Sequence, residues 1–321
     1  MKGSAATTEK FVRLRRARRI WAVAAIHGEA TRLTRLHDLI AARFADGDRL
    51  VYLGNYLGHG SAVAATIDEL LDFRRRVLAR PRTFACDVAF LRGAQEEMWQ
   101  KLLQLQFAAN PSEVLAWMVR AGIETTVQAY GADLRQGFAA SRDGPRTITR
   151  WTSALRTAMN AAPGHTTLFA ALRHAAATED ERLLFVHAGI DPTRPLTSQG
   201  DAFWWGPADI LQLARPFDGF RRVIRGFDRE RRGLVERDFA VSLDAGAGRG
   251  GPLLAAAFAG NGEVLELLEA GREVHVRTPA RAGRSTPSAR GRERDHSRHR
   301  RSARPPSRAN STETTTSGLL A

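Results

Sequence analysis

Apolar and polar positions alternate along the first third of the chain in a pattern that predicts strands and helices in turn. The apolar runs IWAVAAI (20–26) and RLVYLG (49–54) predict two short buried strands. The segments 30–45 and 62–79 carry apolar residues at helical spacing, which predicts an amphipathic helix after each strand. A third strand is predicted within 83–93, with Cys86 in the core. The order of elements is β-α-β-α-β.

A long helical region and a second group of strands follow. Turn residues such as Asn110-Pro111 and Gly144-Pro145 interrupt residues 95–177, which otherwise favour helices. Strands then return; they are predicted at 182–189, 220–226, 238–246 and 252–260. The closing segment GEVLELLEAG fits either a last strand or a short helix. This order predicts an α/β domain with a helical insertion.

Composition and charge divide the chain into three parts. Of the 321 residues, 43% are hydrophobic, which is enough for a sizeable core. The net charge of +14 belongs to the two ends, because residues 1–19 carry +6, residues 272–321 carry +8, and residues 20–271 sum to zero. We therefore expect a basic N-terminal extension (1–19), one folded domain (20–271) and a disordered Arg-rich tail (272–321).

Two further features exclude some classes of protein. A lone cysteine rules out a disulfide framework and a cysteine-based metal site. No apolar run reaches the roughly 18 residues that a membrane-spanning helix needs. The basic and apolar start of the chain resembles a signal peptide only weakly, since HGEA is a poor cleavage site. We expect a cytoplasmic protein.

Glycine-rich polar loops follow several predicted strands, which is where α/β sheets collect their chemistry. The loops are AIHG (25–28), GNYLGHG (54–60), LRGAQE (91–96), VHAG (186–189) and IRGF (224–227). In this order and spacing they resemble the motifs GDxHG, GDxxDRG, RGNHE, HAG and GH of the calcineurin-like metallophosphoesterases. The resemblance is to the bacterial phosphoprotein phosphatase and symmetrical dinucleoside tetraphosphatase branch, and it covers residues 20 to 270.

The resemblance implies a two-sheet α/β sandwich flanked by helices, in four layers, with the helical region 95–177 as a cap over the site. It also implies two divalent metal ions that activate a water molecule, and a histidine that protonates the leaving group. Most of the residues that do this in the family are replaced here. Ala25 and Asn55 stand at aspartate positions, Gly58 at the orienting aspartate, Ala94 at the asparagine ligand, Gln95 at the general acid and Phe227 at the last histidine.

Two family ligands are kept, His27 and His187, and with Asn55 they form a vestigial metal site. We therefore predict either no metal or one weakly bound divalent ion (Mn, Fe or Zn). For phosphate contacts the candidates are His59, Arg92 and Arg225; structural ion pairs of the two arginines are the alternative.

Three functions fit these features. The first is a degenerate metallophosphoesterase, a pseudophosphatase that binds a phosphorylated ligand or a protein partner. The second is a weak metal-dependent phosphoesterase acting on phosphoproteins or dinucleoside polyphosphates, so whether the protein is an enzyme stays open. The third is electrostatic binding of nucleic acid through the Arg-rich tail. No membrane partner is expected.

Overall fold

Two six-stranded sheets form the centre of the part of the chain that our computed structural model describes, residues 10–271 and 274–277. In chain order the strands are β1 Phe11–Leu14, β2 Ile20–Val23, β3 Arg49–Tyr52, β4 Val88–Phe90, β5 Ala175–Thr178, β6 Leu183–Val186, β7 Arg222–Arg225, β8 Gly233–Glu236, β9 Ala240–Asp244, β10 Leu253–Phe258, β11 Val264–Ala270 and β12 Val274–Arg277. One sheet has the order β1-β5-β6-β7-β9-β8, and the other β12-β11-β10-β2-β3-β4. Both mix parallel and antiparallel pairs.

The two sheets pack face to face through small and branched apolar residues. Ala22, Ala24 and Val51 of one sheet share a buried cluster with Phe185 and Ile224 of the other. Side chains alternate between the two faces of a strand. Trp21 and Val23 therefore point to the opposite face, where they join the core beneath the helices. Burial on both faces explains why the central strands read as continuous apolar runs.

Helices cover the outer faces of this sandwich. Within the described residues they are α1 Ala30–Ala41, α2 Val63–Leu78, α3 Ala94–Leu102, α4 Pro111–Arg120, α5 Glu124–Ala129, α6 Leu134–Asp143, α7 Pro145–Ala161, α8 His165–Ala170 and α9 Ala202–Trp205. The predicted α/β sandwich of two sheets flanked by helices is confirmed. None of the described helices combines the length and the apolar character that a bilayer crossing requires.

Several predicted boundaries differ from the structure. The fold begins within the segment assigned as an extension, because Phe11–Leu14 pair in parallel with β5. The helical region ends at Ala170, and Ala175–Thr178 is a strand that the sequence analysis assigned to helix. Residues 233–236 form an additional strand, and GEVLELLEAG contains the strand β11 rather than a helix.

The tail prediction is wrong for four residues. Val274–Arg277 pair in antiparallel register with β11, since backbone pairing at a sheet edge does not require an apolar core. The remaining residues of the predicted tail, like residues 1–9 of the predicted extension, lie outside the described part of the chain.

The expectation that Cys86 is a core residue is also wrong. Its side chain is exposed, and a 3-10 turn at Ala85–Asp87 precedes the short strand β4. The buried residue there is Asp87, whose carboxylate forms ion pairs with Arg15 at 2.7 Å and Arg49 at 3.0 Å. Because these pairs direct Asp87 inward, the preceding cysteine faces solvent.

Candidate functional site

The loops that follow β2, β3, β4, β7 and β9 meet at one end of the sandwich and enclose a cavity of 370 Å³. Its wall is polar or charged over part of its surface and apolar over the rest. The polar and charged lining residues are His27, Asn55, His59, Gln95, Asp228, Arg229, Arg231, Asp244 and Arg249. The apolar side chains on the wall are Ala94, Met98, Ala121, Trp204, Trp205 and Phe227. The volume is in the range of small-ligand pockets, about 300–1,000 Å³.

Close backbone contacts hold the first two loops together. The amides of Ile26 and His27 both donate to the Asn55 carbonyl, at 3.0 and 2.6 Å. His27, Asn55 and His59 all have left-handed backbone, with φ between 54° and 57°. Non-glycine residues seldom adopt this conformation, and such residues concentrate at functional sites. The loops therefore hold a strained backbone geometry at the edge of the cavity.

Gly54 shows why this geometry needs glycine. Its φ is +92°, and a Cβ there would lie 2.7 Å from the Gly93 nitrogen and 2.8 Å from the His187 Nδ1. A side chain at position 54 would push apart the loops after β3, β4 and β6.

The carboxylate of Glu96 fastens the loop after β3 to the start of α3. One oxygen accepts hydrogen bonds from the amides of Asn55 and Gly93, both at 2.8 Å. The other oxygen accepts from Tyr56 at 2.8 Å and Leu57 at 3.1 Å. Burial raises the pKa of Glu96, and these four N–H groups act in the opposite direction. The sequence analysis gave Glu96 no role, because a fully buried glutamate carries no signal in the hydrophobic pattern.

Both the oxygen and the nitrogen of the Asn55 side-chain amide form hydrogen bonds. Its Oδ1 accepts from the backbone N–H of Gln95 at 2.9 Å, so it caps the first turn of α3. Its Nδ2 lies 3.3 Å from the His27 Nε2 and donates to it. With the carbonyl oxygen occupied by a helix N-terminus, Asn55 has little capacity left for a cation.

Gln95 stands where the family has its general acid, and it is held as a structural residue. Its side-chain N–H donates to the Ala121 carbonyl at 2.7 Å, while its Oε1 is buried and has no hydrogen-bond partner. An amide has no proton to transfer at neutral pH, so Gln95 cannot serve as an acid catalyst. Position 58, which would orient such an acid, is a glycine with φ +81°.

The two retained histidines are buried, and only His27 lines the cavity. His187 Nδ1 donates to the Leu53 carbonyl at 2.6 Å, and its ring stacks on Phe227 with centroids 5.4 Å apart. Burial lowers the pKa of His187 to about 4. Burial, His59, His187 and Arg249 lower the pKa of His27 well below its usual value. Both rings are therefore neutral at pH 7.

Arg92 and Arg225, predicted as phosphate contacts, are not on the cavity wall. Arg225 is buried and forms ion pairs with Asp228 at 2.9 Å and Asp209 at 3.1 Å. Arg92 contacts Glu97 at 3.2 Å and Gln100 at 2.6 Å. Arg225 is thus held by two ion pairs and Arg92 by one, which is the alternative left open by the sequence.

Three other arginines lie on the cavity wall, where the sequence analysis expected Arg92 and Arg225. Arg229, Arg231 and Arg249 are exposed on the cavity wall, and none of them forms an ion pair with a carboxylate of the described residues. Of the predicted contacts, His59 does line the cavity, with its Nε2 3.4 Å from Arg249. Burial, Arg249 and Arg231 lower the pKa of His59, which means that the cavity is electropositive there.

Two buried aspartates complete the wall. Asp228 pairs with Arg225 and Arg232, so its charge is compensated. Asp244 accepts from the amides of Asp228 at 3.0 Å and Gly246 at 2.8 Å. Burial raises its pKa to about 6. The sequence analysis gave Asp244 no role at the site.

The donor set does not fit the two metal ions that the family resemblance implies. His27 Nδ1 and His187 Nε2 are both buried without a hydrogen-bond partner. Because Nε2 of the neutral His27 ring accepts from Asn55, its Nδ1 carries the proton, so only His187 Nε2 presents a lone pair that would suit a metal. However, Ala25 and Asn55 supply no carboxylate, and Phe227 covers the His187 ring. Within residues 10–271 no group of three or more His, Cys, Asp or Glu side chains has the arrangement to hold an ion. Arg249 adds positive charge beside His27.

Comparison with known proteins finds similar structures but no similar sequences. No protein-family model and no curated protein matches the chain. One similar structure is described as a candidate diadenosine tetraphosphatase; it is 19% identical, with a TM-score of 0.48, over 83% of this chain and 100% of that one.

Two further matches come from named organisms. A cold-active protein-tyrosine phosphatase of a Shewanella species is 14% identical, with a TM-score of 0.45, over 87% of this chain and 85% of that one. A metallophosphoesterase from Sphaerobacter thermophilus is 12% identical, with a TM-score of 0.37, over 80% and 89% of the two chains.

Proposed function

We propose that this protein is a degenerate metallophosphoesterase that binds a phosphorylated ligand in its cavity and does not hydrolyse it. The observation that carries the proposal is the exchange of charge at the site. The positions that bring carboxylates in the family hold Ala25 and Asn55, while Arg231 and Arg249 bring guanidinium groups to the wall. A site built for two cations has thus become one that suits an anion.

Electrostatics supports an anion over a metal ion. The pKa values of His27 and His59 are both lowered in part by Arg249, so a positive charge in the cavity is disfavoured. Guanidinium groups bind phosphate oxygens in pairs, which gives geometric as well as electrostatic selectivity. The neutral His27 and His59 rings can donate or accept further hydrogen bonds to a bound phosphate.

Loss of catalysis is supported by the residues that would handle protons. Gln95 has no transferable proton, and its side chain is tied to the Ala121 carbonyl. Gly58 has no side chain and Ala25 has only a methyl group, so neither can assist a proton transfer. Position 95, where the family resemblance implies the general acid, thus offers no proton to a leaving oxygen, and position 55 offers no carboxylate to bridge two metal ions.

The test is a calorimetric titration of the full chain with inorganic phosphate. We expect binding, and a loss of about tenfold or more in affinity in the double variant Arg231→Gln/Arg249→Gln, since each charged hydrogen bond contributes about 1.5–3 kcal/mol. Arg146→Gln is the matched control, an exposed arginine on α7 that does not line the cavity. Unchanged affinity in the double variant, or equal loss in the control, would contradict the proposal.

A weak metal-dependent phosphoesterase remains the second candidate, on one specific observation. His187 Nε2 is buried without a partner, and an ion would satisfy its lone pair. A Mn²⁺-dependent rise in melting temperature that disappears in both His27→Ala and His187→Ala would favour this candidate. Nucleic-acid binding by the Arg-rich tail concerns residues outside the described part of the chain and stays a prediction.

A further inference from the structure

We propose that Trp205, braced by Trp117, is a stacking surface for a planar aromatic ring, so that the cavity selects phosphates joined to such a ring. This inference rests on the proposed function, because the stacked ring belongs to the same ligand whose phosphate meets the arginines. It names Trp205 as the residue that determines specificity.

The position of Trp205 distinguishes it from its neighbour in the chain. Trp204 is almost fully buried, and its ring lies between His174 at 4.8 Å and the Arg92 guanidinium at 5.9 Å. Trp205 is half-buried and also lines the cavity. Both tryptophans line the cavity, but Trp204 belongs to the core, whereas part of Trp205 stays exposed.

Trp117 holds this ring in place from a different element. It lies on α4, whose residues Leu115 and Met118 face the core, and its side chain is 42% exposed. The Trp117 and Trp205 ring centroids are 5.6 Å apart with an angle of 69° between the planes. An edge-to-face contact of this kind is favourable and fixes the orientation of both rings. A preset ring orientation lowers the entropy cost of stacking a ligand on it.

A hydrogen bond connects the aromatic surface to the basic part of the wall. Arg229 Nη2 donates to the backbone carbonyl of Trp205 at 2.9 Å. Gly206, with φ +53°, ends α9 directly after Trp205. The stacking surface and the segment that carries Arg231 are therefore held at a fixed spacing. A ligand that fills both parts has a planar ring and a phosphate close together.

Two classes of small molecule share this chemistry, nucleoside phosphates and aryl phosphates such as phosphotyrosine. The test uses the full chain and measures dissociation constants by calorimetry for four probes. Adenosine monophosphate and phosphotyrosine carry a ring; ribose 5-phosphate and phosphoserine do not. We expect at least one ring-bearing probe to bind about fivefold or more tightly than its ringless counterpart, the lower limit of a stacking contribution. The preferred probe of the two identifies the class.

Variants then assign the effect to Trp205. Trp205→Leu should remove the advantage of the ring-bearing probe, measured as the ratio of its affinity to that of its ringless counterpart, and an unchanged melting temperature checks that the variant is folded. Trp205→Tyr, which keeps a ring, should restore part of the advantage. Phe107→Leu is the control, an aromatic residue that is 81% exposed and does not line the cavity.

The outcomes separate this inference from the proposed function. Equal affinity for probes with and without a ring, or an advantage that survives Trp205→Leu, would overturn the stacking surface and leave phosphate binding intact. Binding of none of the four probes would contradict the proposed function itself.

Discussion

Gly58 and the side chain of Gln95 exclude each other: a Cβ at position 58 would lie 2.5 Å from the Gln95 Cδ. The family resemblance implies an aspartate and a histidine at these two positions, one orienting the other. Here the glutamine occupies the space of the missing side chain and bonds to Ala121. The two positions are thus sterically coupled, because a side chain at position 58 would have to displace that of Gln95.

This coupling predicts a measurable interaction in a double-mutant cycle. Gly58→Ala should be destabilising by about 1–2 kcal/mol for the left-handed backbone, with a further cost from the collision with Gln95. In a Gln95→Ala background the collision is gone, so we expect the cost of Gly58→Ala to fall by more than about 0.5 kcal/mol. Chemical denaturation of the four proteins provides the free energies. Additive effects would show that the side chain of Gln95 moves aside freely.

Glu96→Gln should destabilise the protein and disturb the site at the same time. The glutamine amide would place its NH2 group against two of the four backbone N–H groups that now share the carboxylate, while its oxygen accepts from the other two. Because each hydrogen bond to a charged group contributes about 1.5–3 kcal/mol, we expect a loss of about 3 kcal/mol or more in unfolding free energy. Glu124→Gln, an exposed change on α5, should have little effect. Equal stability of both variants would contradict the role of Glu96.

Asp244 should make anion binding depend on pH. Its pKa is raised to about 6, so between pH 7.5 and 5.5 the carboxylate becomes neutral and a negative charge leaves the cavity wall. Sulfate affinity should therefore rise as the pH falls through this range; sulfate itself does not titrate there. His27 and His59 also line the wall, but their lowered pKa values keep them neutral over most of the range.

The variant Asp244→Asn shows how much of this pH dependence is due to Asp244. It distinguishes that contribution from those of the two histidines and of the other charged groups on the wall, which are Asp228, Arg229, Arg231 and Arg249. It should bind sulfate more tightly than the parent at pH 7.5 and show a flatter pH dependence. If the parent and the variant have the same slope, the histidines rather than Asp244 control the response.

The hydrophobic pattern predicted the central strands well because they are buried on both faces, whereas the two-sheet sandwich was implied by the family resemblance. Continuous apolar runs such as IWAVAAI have few alternatives to a buried strand. The elements that it missed are those with weak patterns. Ala175–Thr178 is short and built of alanines that suit a helix equally, and Phe11–Leu14 lies among arginines whose charge masked its strand pairing.

Of the site, only the positions of its loops could be predicted from the sequence. Glycines such as Gly54 mark backbone that a side chain would disrupt, so the positions of the loops could be read from the sequence. The sequence does not show which arginine faces the cavity. The choice between Arg225 and Arg231 depends on where Asp209 and Asp228 lie in the folded protein. The positions of glycines indicate the backbone conformation of the loops, whereas the pairing of charged side chains depends on tertiary contacts.

Hydrolysis of a generic phosphomonoester by the purified full chain, with and without Mn²⁺, tests the central claim most directly. A His187→Ala variant measured in parallel sets the background. Our account predicts no turnover above this background under either condition, because Gln95 provides no proton and Asn55 no bridging carboxylate. Turnover that requires both Mn²⁺ and His187 would contradict it and would show that the remaining residues form a working metal site.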